Sequence, residues 1–310
     1  MITYFYRNLK EKRFHTLESF RTGSWVHVEH PTNEEFEELV RSFSLEPGLL
    51  RDAIDPYEVP RVEVHDNIVY VFTRVPYLID SPGKEMHMLT LPLLVAIGEN
   101  FVVTVSERPL PDIDKIIADE DLYTTQKSKL FLQIFFAITS TYNTFLINLN
   151  KKVRSISVEL ENIENKDIVQ FVSFERMLND FLAALIPTNT LLKNLLYGKF
   201  LAFFKEDKDL IEDLFLNNEQ LIEICRTNLK NIVNIRESYS MIMTNNLNRV
   251  IKLLTALTII FTVPTIIASM YGMNVPLPFA DSPYAFLFIL IVTAIISGGL
   301  FFIFIKKDWF

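Results

Sequence analysis

The chain has 310 residues, a formal charge of −8 and one cysteine, Cys225. An acidic balance with no basic cluster argues against nucleic acid as a partner, and a lone cysteine gives neither a disulfide framework nor a thiolate zinc site. Hydrophobic residues at 49% beside 22% charged fit a soluble body with a membrane appendage, not a protein of many spans.

The N-terminus is polar and mixed in charge, unlike a secretory signal. Composition changes near residue 112, before which nine of the fourteen prolines fall. Residues 1–111 read as a mixed α/β domain. Ser24-Trp25-Val26-His27-Val28 reads as a short strand, and Thr32-Asn33-Glu34-Glu35 as a capping-box start for a helix through about Phe43. Val62 to Val64 and Ile68 to Val75 are strand-like about an Asp66-Asn67 turn, and Leu89 to Ile97 and Phe101 to Val105 flank Gly98-Glu99-Asn100 as a hairpin. This part carries no catalytic constellation. His15, His27, His30, His65 and His87 lack the i, i+4 spacing of a helical metal site and read as surface or strand residues. Its four glycines are isolated from one another, so no phosphate-binding loop is present. Neither an enzyme nor an organic cofactor is expected.

Residues 112–205 are helical in pattern, with Pro187 and Gly198 the only breakers before Pro264. Phe131, Phe135, Ile138, Tyr142, Phe145 and Leu149 repeat at spacings of 4 and 3. Gln133, Asn143 and Asn148 mark this run as a partly buried soluble helix, although it is apolar enough to be mistaken for a membrane span. A second arm runs from Val169 to Leu185, and a joint near Asn165-Lys166-Asp167 makes the pair an antiparallel hairpin. Glu159, Glu161 and Glu164 read as a solvated face.

Residues 206–270 read as a stalk helix that continues into a first membrane span. Downstream of Asn218 neither proline nor glycine appears until Pro264, which implies a helix of roughly 50 residues, or ~80 Å. It is uncharged from about Leu253 to Met270. A loop follows at 271–284, and a second uncharged run, from about Ala285 to Ile305, lies within 285–310. Each run approaches the ~20 residues that cross a bilayer. Arg249 and Lys252 before the first span, and Lys306 and Lys307 after the second, predict cytoplasmic termini and an external loop. The expected location is the inner or plasma membrane, with membrane lipid as a partner.

The first span carries a polar stripe. Thr255, Thr258, Thr262, Thr265 and Ser269 share one helical face, and the register continues back through Ile251, Asn248 and Thr244. Taken alone, the stripe is either interhelical hydrogen-bonding glue or the lining of a wet pore. Leu247, Ile251 and Leu254 would form an apolar constriction of that pore, able to close it by dewetting. The span ends in Tyr271-Gly272-Met273-Asn274, and the chain in Lys306-Lys307-Asp308-Trp309-Phe310.

This placement of Gly272, Met273 and Asn274, with that basic tail, resembles the CorA family of magnesium transporters. Asp55-Pro56, Pro60-Arg61-Val62-Glu63 and Phe101 to Val105 are similar to stretches of the family's cytoplasmic domain, so the resemblance covers nearly the whole chain. It implies an α+β fold: a cytoplasmic α/β domain, a helical hairpin, a long stalk and two C-terminal transmembrane helices, assembled as a homopentameric funnel. It also implies a channel for Mg²⁺, with Co²⁺ and Ni²⁺ as further candidates, and cytoplasmic Mg²⁺ as the regulator. A ring of Asn274 amides would meet the hydrated ion; capping of the helix end is the alternative role. Asp213 matches a family acid that binds regulatory magnesium, with Asp80 as a candidate partner. Two features depart from the pattern. Pro264 falls one residue later than is usual, and the loop acid, Asp281, lies further from the signature. Alternatives are a zinc transporter of the same superfamily and a non-conducting membrane-anchored regulator.

Overall fold

The computed structural model describes residues 1–10, 14–79, 87–110, 113–118, 122–157, 163–200, 203–275, 278, 282–307 and 309. The chain divides into two units, Met1–Asn234 and Ile235–Phe310.

The first unit is built on a seven-stranded sheet among the described residues. Its strands are β1 (Ile2–Tyr6), β2 (His15–Leu17), β3 (Trp25–Glu29), β4 (Arg61–His65), β5 (Ile68–Ile79), β6 (His87–Ile97) and β7 (Val102–Ser106). They lie in the order β2-β1-β3-β7-β6-β5-β4. Only β3 and β7 pair in parallel among these strands; the other neighbours are antiparallel. The Asp66-Asn67 turn takes positive φ at both residues, 49° and 62°, the twist that matches a two-residue hairpin.

Period-2 alternation divides the sheet into two faces. Val26, Val28, Tyr70, Phe72, Leu94, Val103 and Val105 pack with Leu39 and Phe43 of α1 (Asn33–Phe43) and Leu49 and Leu50 of α2 (Pro47–Asp52). The alternate residues Trp25, Val71, Val95 and Thr104 are equally buried, on the face toward α4 (Lys127–Ser157) and α5 (Asn165–Leu196). A short helix, α3 (Ile113–Ala118), precedes α4. Helix α1 starts with the expected capping box: Thr32 Oγ1 accepts from Glu35 N at 3.2 Å, and Glu35 Oε2 accepts from Thr32 N at 2.9 Å. Such a cap stabilises a helix by about 1 kcal/mol.

In α4 the 4-and-3 register is the buried one, with Phe131, Phe135, Ile138, Tyr142 and Leu149 all in the core. Tyr142 meets Phe181 of α5 edge to face at 4.9 Å, and its hydroxyl donates to Arg74 O at 3.0 Å. Burial pushes that phenol well above its usual range.

The helical boundaries differ from expectation in two places. Asn165-Lys166-Asp167 is the first turn of α5 and not a joint; Glu164 N donates to Asp167 Oδ2 at 2.9 Å as part of a capping box. Helix α5 runs on to Leu196 through Pro187. Proline removes one donor, yet packing holds the helix: Asn218, 2% exposed, donates to Leu185 O at 2.9 Å and to Asn189 Oδ1 at 3.1 Å beside it. Helix α6 runs from Lys205 to Tyr271, one residue beyond the expected 206–270 at each end, 67 residues in all, or about 100 Å at 1.5 Å per residue. Its sequence has no glycine, and its one proline, Pro264, lies near the C-terminal end.

The second unit holds the rest of α6 and α7 (Ala285–Lys306). Trp309 stacks on Phe304 at 5.1 Å, and its backbone N–H donates to Phe304 O at 3.1 Å, folding the tail back onto the last turn of α7.

Candidate functional site

Along α6, Thr244, Asn248, Thr255, Thr258, Thr262, Thr265 and Ser269 are exposed, as are Leu247, Ile251 and Leu254. On the opposite side of the span, Ala256 is fully buried and Ile260, Val263 and Ile267 are half-buried, so the helix has one inward side and one free polar side. The threonines on the free side share one geometry. Thr255 Oγ1 donates to Ile251 O, Thr258 to Leu254 O and Thr265 to Phe261 O, each at 2.8 Å, and Thr262 donates to Thr258 O at 2.7 Å. Thr244 makes the same bond to Ser240 O at 2.8 Å.

A hydroxyl has one proton and two lone pairs. With the proton committed to the carbonyl four residues back, each oxygen presents only acceptors outward. These threonine oxygens therefore suit groups that donate, such as the water shell of a cation. Sequence spacing located these hydroxyls but did not reveal their polarity.

The face runs to the helix end. Gly272 N donates to Ala268 O at 3.0 Å and Ser269 O at 3.3 Å, and Met273 N donates to Met270 O at 3.3 Å. Backbone groups thus serve the last carbonyls, and among the described residues the exposed Asn274 side chain caps nothing. The φ of Gly272 lies outside the left-handed region, and a Cβ there would meet Ala268 O at 3.4 Å and Ser269 O at 3.6 Å, ordinary contacts. This chain's own backbone does not require glycine at that position.

Asp213 is exposed on α6, whereas Ile211, Leu214, Asn218, Leu221, Cys225 and Ile232 of the same helix are buried in the first unit. Asp80 and Asp281 lie outside the described residues. Asn218 was not foreseen as a clamp; its signal was a lone polar residue in the apolar register Ile211, Leu214, Leu221. Burial pushes the Cys225 thiol up to about 12, so it is not a thiolate ligand at neutral pH.

Among the described residues no group of three His, Cys, Asp or Glu is placed to hold a metal ion. His27 is buried in the sheet. Thr104 Oγ1 accepts from Trp25 Nε1 at 2.9 Å and lies 2.8 Å from His27 Nδ1. An ionised carboxylate only accepts, so His27 Nε2 donates to Glu29 Oε1 at 2.8 Å. That bond, opposed by burial, holds the Glu29 carboxyl below its ordinary value.

Three helices are long and apolar enough to cross a membrane among the described residues. The apolar window of α4 is 50% buried, its surface already used in the first unit, whereas those of α6 and α7 are 6% buried. Large exposed apolar faces such as Phe261, Ile266, Phe286, Ile295 and Phe302 need hydrocarbon or other helices around them.

The family model described as CorA-like Mg²⁺ transporter protein matches residues 21–307. The cobalt/magnesium transport protein CorA of Methanocaldococcus jannaschii is 25% identical over 297 residues, covering 92% of this chain and 90% of that protein. The protein of the same description from Thermotoga maritima is 21% identical over 298 residues, covering 93% and 84%. The complete structure of the CorA magnesium transporter from Methanocaldococcus jannaschii superposes with a TM-score of 0.87 at 22% identity, covering 100% of this chain and 99% of the other. With the membrane-length helices and the match across nearly its whole length, the chain belongs to the CorA-like Mg²⁺ transporter family, and is a divalent-cation transporter of the membrane, not an enzyme.

Proposed function

We propose that the chain forms a homopentameric channel that admits hydrated Mg²⁺, with Co²⁺ and Ni²⁺ as further cargoes, and that cytoplasmic Mg²⁺ closes it. The observation that carries this reading is the acceptor-only hydroxyl face of α6, which runs to Gly272, Met273 and Asn274. Magnesium gives up its water reluctantly, so a site that meets the intact hydrated ion avoids that cost. The water shell offers only donors, and the threonine face offers only acceptors.

In this reading α6 of each subunit contributes its hydroxyl face to a shared axis. The Asn274 amide, unbonded among the described residues, supplies an acceptor per subunit at the outer mouth. Gly272 is then small because of what assembles around it, since its own backbone would accept a side chain. Leu247, Ile251 and Leu254 form the apolar constriction, and Asp213 binds the regulatory ion with a partner from a neighbouring subunit. Both termini are cytoplasmic.

Flux into liposomes tests this. Asn274→Ala removes the acceptor, touches no bond among the described residues, and abolishes Mg²⁺ entry at normal expression. Hexammine cobalt, which presents a fixed shell of donors, blocks the parent from outside. Growth rescue of a magnesium-uptake-deficient strain by Asn274→Ala would remove the amide from the mechanism, and preferential flux of Zn²⁺ would reassign the cargo.

A further inference from the structure

The first unit contains a cavity of about 450 Å³ at the far end of the β5–β6 ladder, against α4 and α5. That volume falls within the range of small-molecule sites, about 300–1,000 Å³. Leu78 and Met88, cross-strand partners, form one end. Buried Leu149, Phe174 and Met177 continue the wall. Methionine is unbranched and adapts to the shape of a flexible guest. Among the described residues the polar lining is one-sided in charge: Lys151 and Lys152 border the cavity with the neutral Asn148, Gln170 and Ser173, and no described carboxylate lines it. This is unusual in a chain with 38 acids to 30 bases.

A wholly apolar guest would leave the two ammonium groups without a role, and a small hydrophilic anion would leave the methionine and phenylalanine wall without one. We propose that the cavity binds a single-chain amphiphile with an anionic head, a free fatty acid, its tail along Met88, Leu149, Phe174 and Met177 and its carboxylate at Lys151 and Lys152. Lysine stems lie along apolar surface while the ammonium reaches a polar head, so both groups can close over the guest. The space accommodates one chain, which favours a fatty acid over a two-chain bilayer lipid. This proposal is independent of the ion pathway on α6.

The full chain in nanodiscs, photolabelled with a diazirine analogue of laurate and mapped by mass spectrometry, tests it. Label is expected on peptides spanning 145–152 and 170–177, and is expected to be competed by laurate but not by dodecyltrimethylammonium. Lys151→Glu with Lys152→Glu changes two exposed positions and lowers labelling by about tenfold, as loss of a charge-assisted contact implies. Ser173→Trp, which fills the space, lowers it too. Label confined to Ile235–Phe310, equal competition by the cationic amphiphile, displacement by a two-chain anionic phospholipid, or labelling that survives the charge reversal would each overturn the assignment.

Discussion

Thr262→Val perturbs the hydroxyl face with the least collateral change. Valine keeps the shape and the β-branch, so the helix surface is preserved. The lost bond, Thr262 Oγ1 to Thr258 O at 2.7 Å, orphans nothing, because the helix ladder still supplies that carbonyl with a backbone donor. Folding and insertion are therefore unchanged. The functional cost is larger. Each subunit loses an acceptor for water polarised by a divalent ion, and hydrogen bonds to charged groups contribute about 1.5–3 kcal/mol against about 0.5–1.5 for neutral ones. At 1.4 kcal/mol per decade, one bond at the boundary of those ranges predicts a fall in flux of about tenfold. Thr262→Ser retains the oxygen and recovers most of it. The control is Thr293→Val on α7, where the hydroxyl makes the same bond, to Ile289 O at 2.7 Å, but lies off the proposed pathway. Mg²⁺ entry into liposomes, followed with an entrapped indicator dye, reads all three. Equal losses from Thr262→Val and Thr293→Val, or full flux in Thr262→Val, would refute the role given to the hydroxyl face.

Asp213→Ala removes a carboxylate that the fold leaves exposed; magnesium protection against proteolysis should weaken, and flux should persist at high internal Mg²⁺. Unchanged protection with unchanged inhibition would discard the site. Ile251→Ser makes the constriction wettable and should raise leak current in planar bilayers, whereas a folded, inserted variant that leaks no more than the parent would place the gate elsewhere. Glu29, whose carboxyl is held down by the His27 bond, should contribute stability that is complete above its unfolded value near 4.5 and is lost as pH falls through its lower folded value. Thermal unfolding across that acid range should show a shallower decline in Glu29→Gln, and identical acid limbs would show that the pair contributes nothing.

Much of the fold was legible because it rests on local rules. The Thr32 capping box, the Asp66-Asn67 turn and the 4-and-3 register of α4 are each written within a few consecutive turns or residues. The misses arose where long-range packing overrode local preference. Pro187 reads as a breaker, yet α5 continues past it because α4, the sheet and the Asn218 clamp from α6 hold both sides in place. Strands β1 and β2 were missed because their sequences lack strong alternation and their pairing depends on β3. At the site, spacing placed the hydroxyls on one face, while the direction of each proton needed coordinates, since it is set by the carbonyl four residues back.

The unbroken course of α6 also restricts how this chain can vary in length. A loop absorbs an inserted residue by bulging, but a helix passes the error on: one extra residue rotates everything downstream by ~100° and advances it by ~1.5 Å. Inserted between Asp213 and Thr244, a single residue would keep every side chain of the hydroxyl face intact and turn the whole face about a quarter-turn out of phase with the residues upstream. Seven residues would bring it back to within ~20°. The helix therefore behaves like a keyed shaft, tolerant of many substitutions but intolerant of small changes in length.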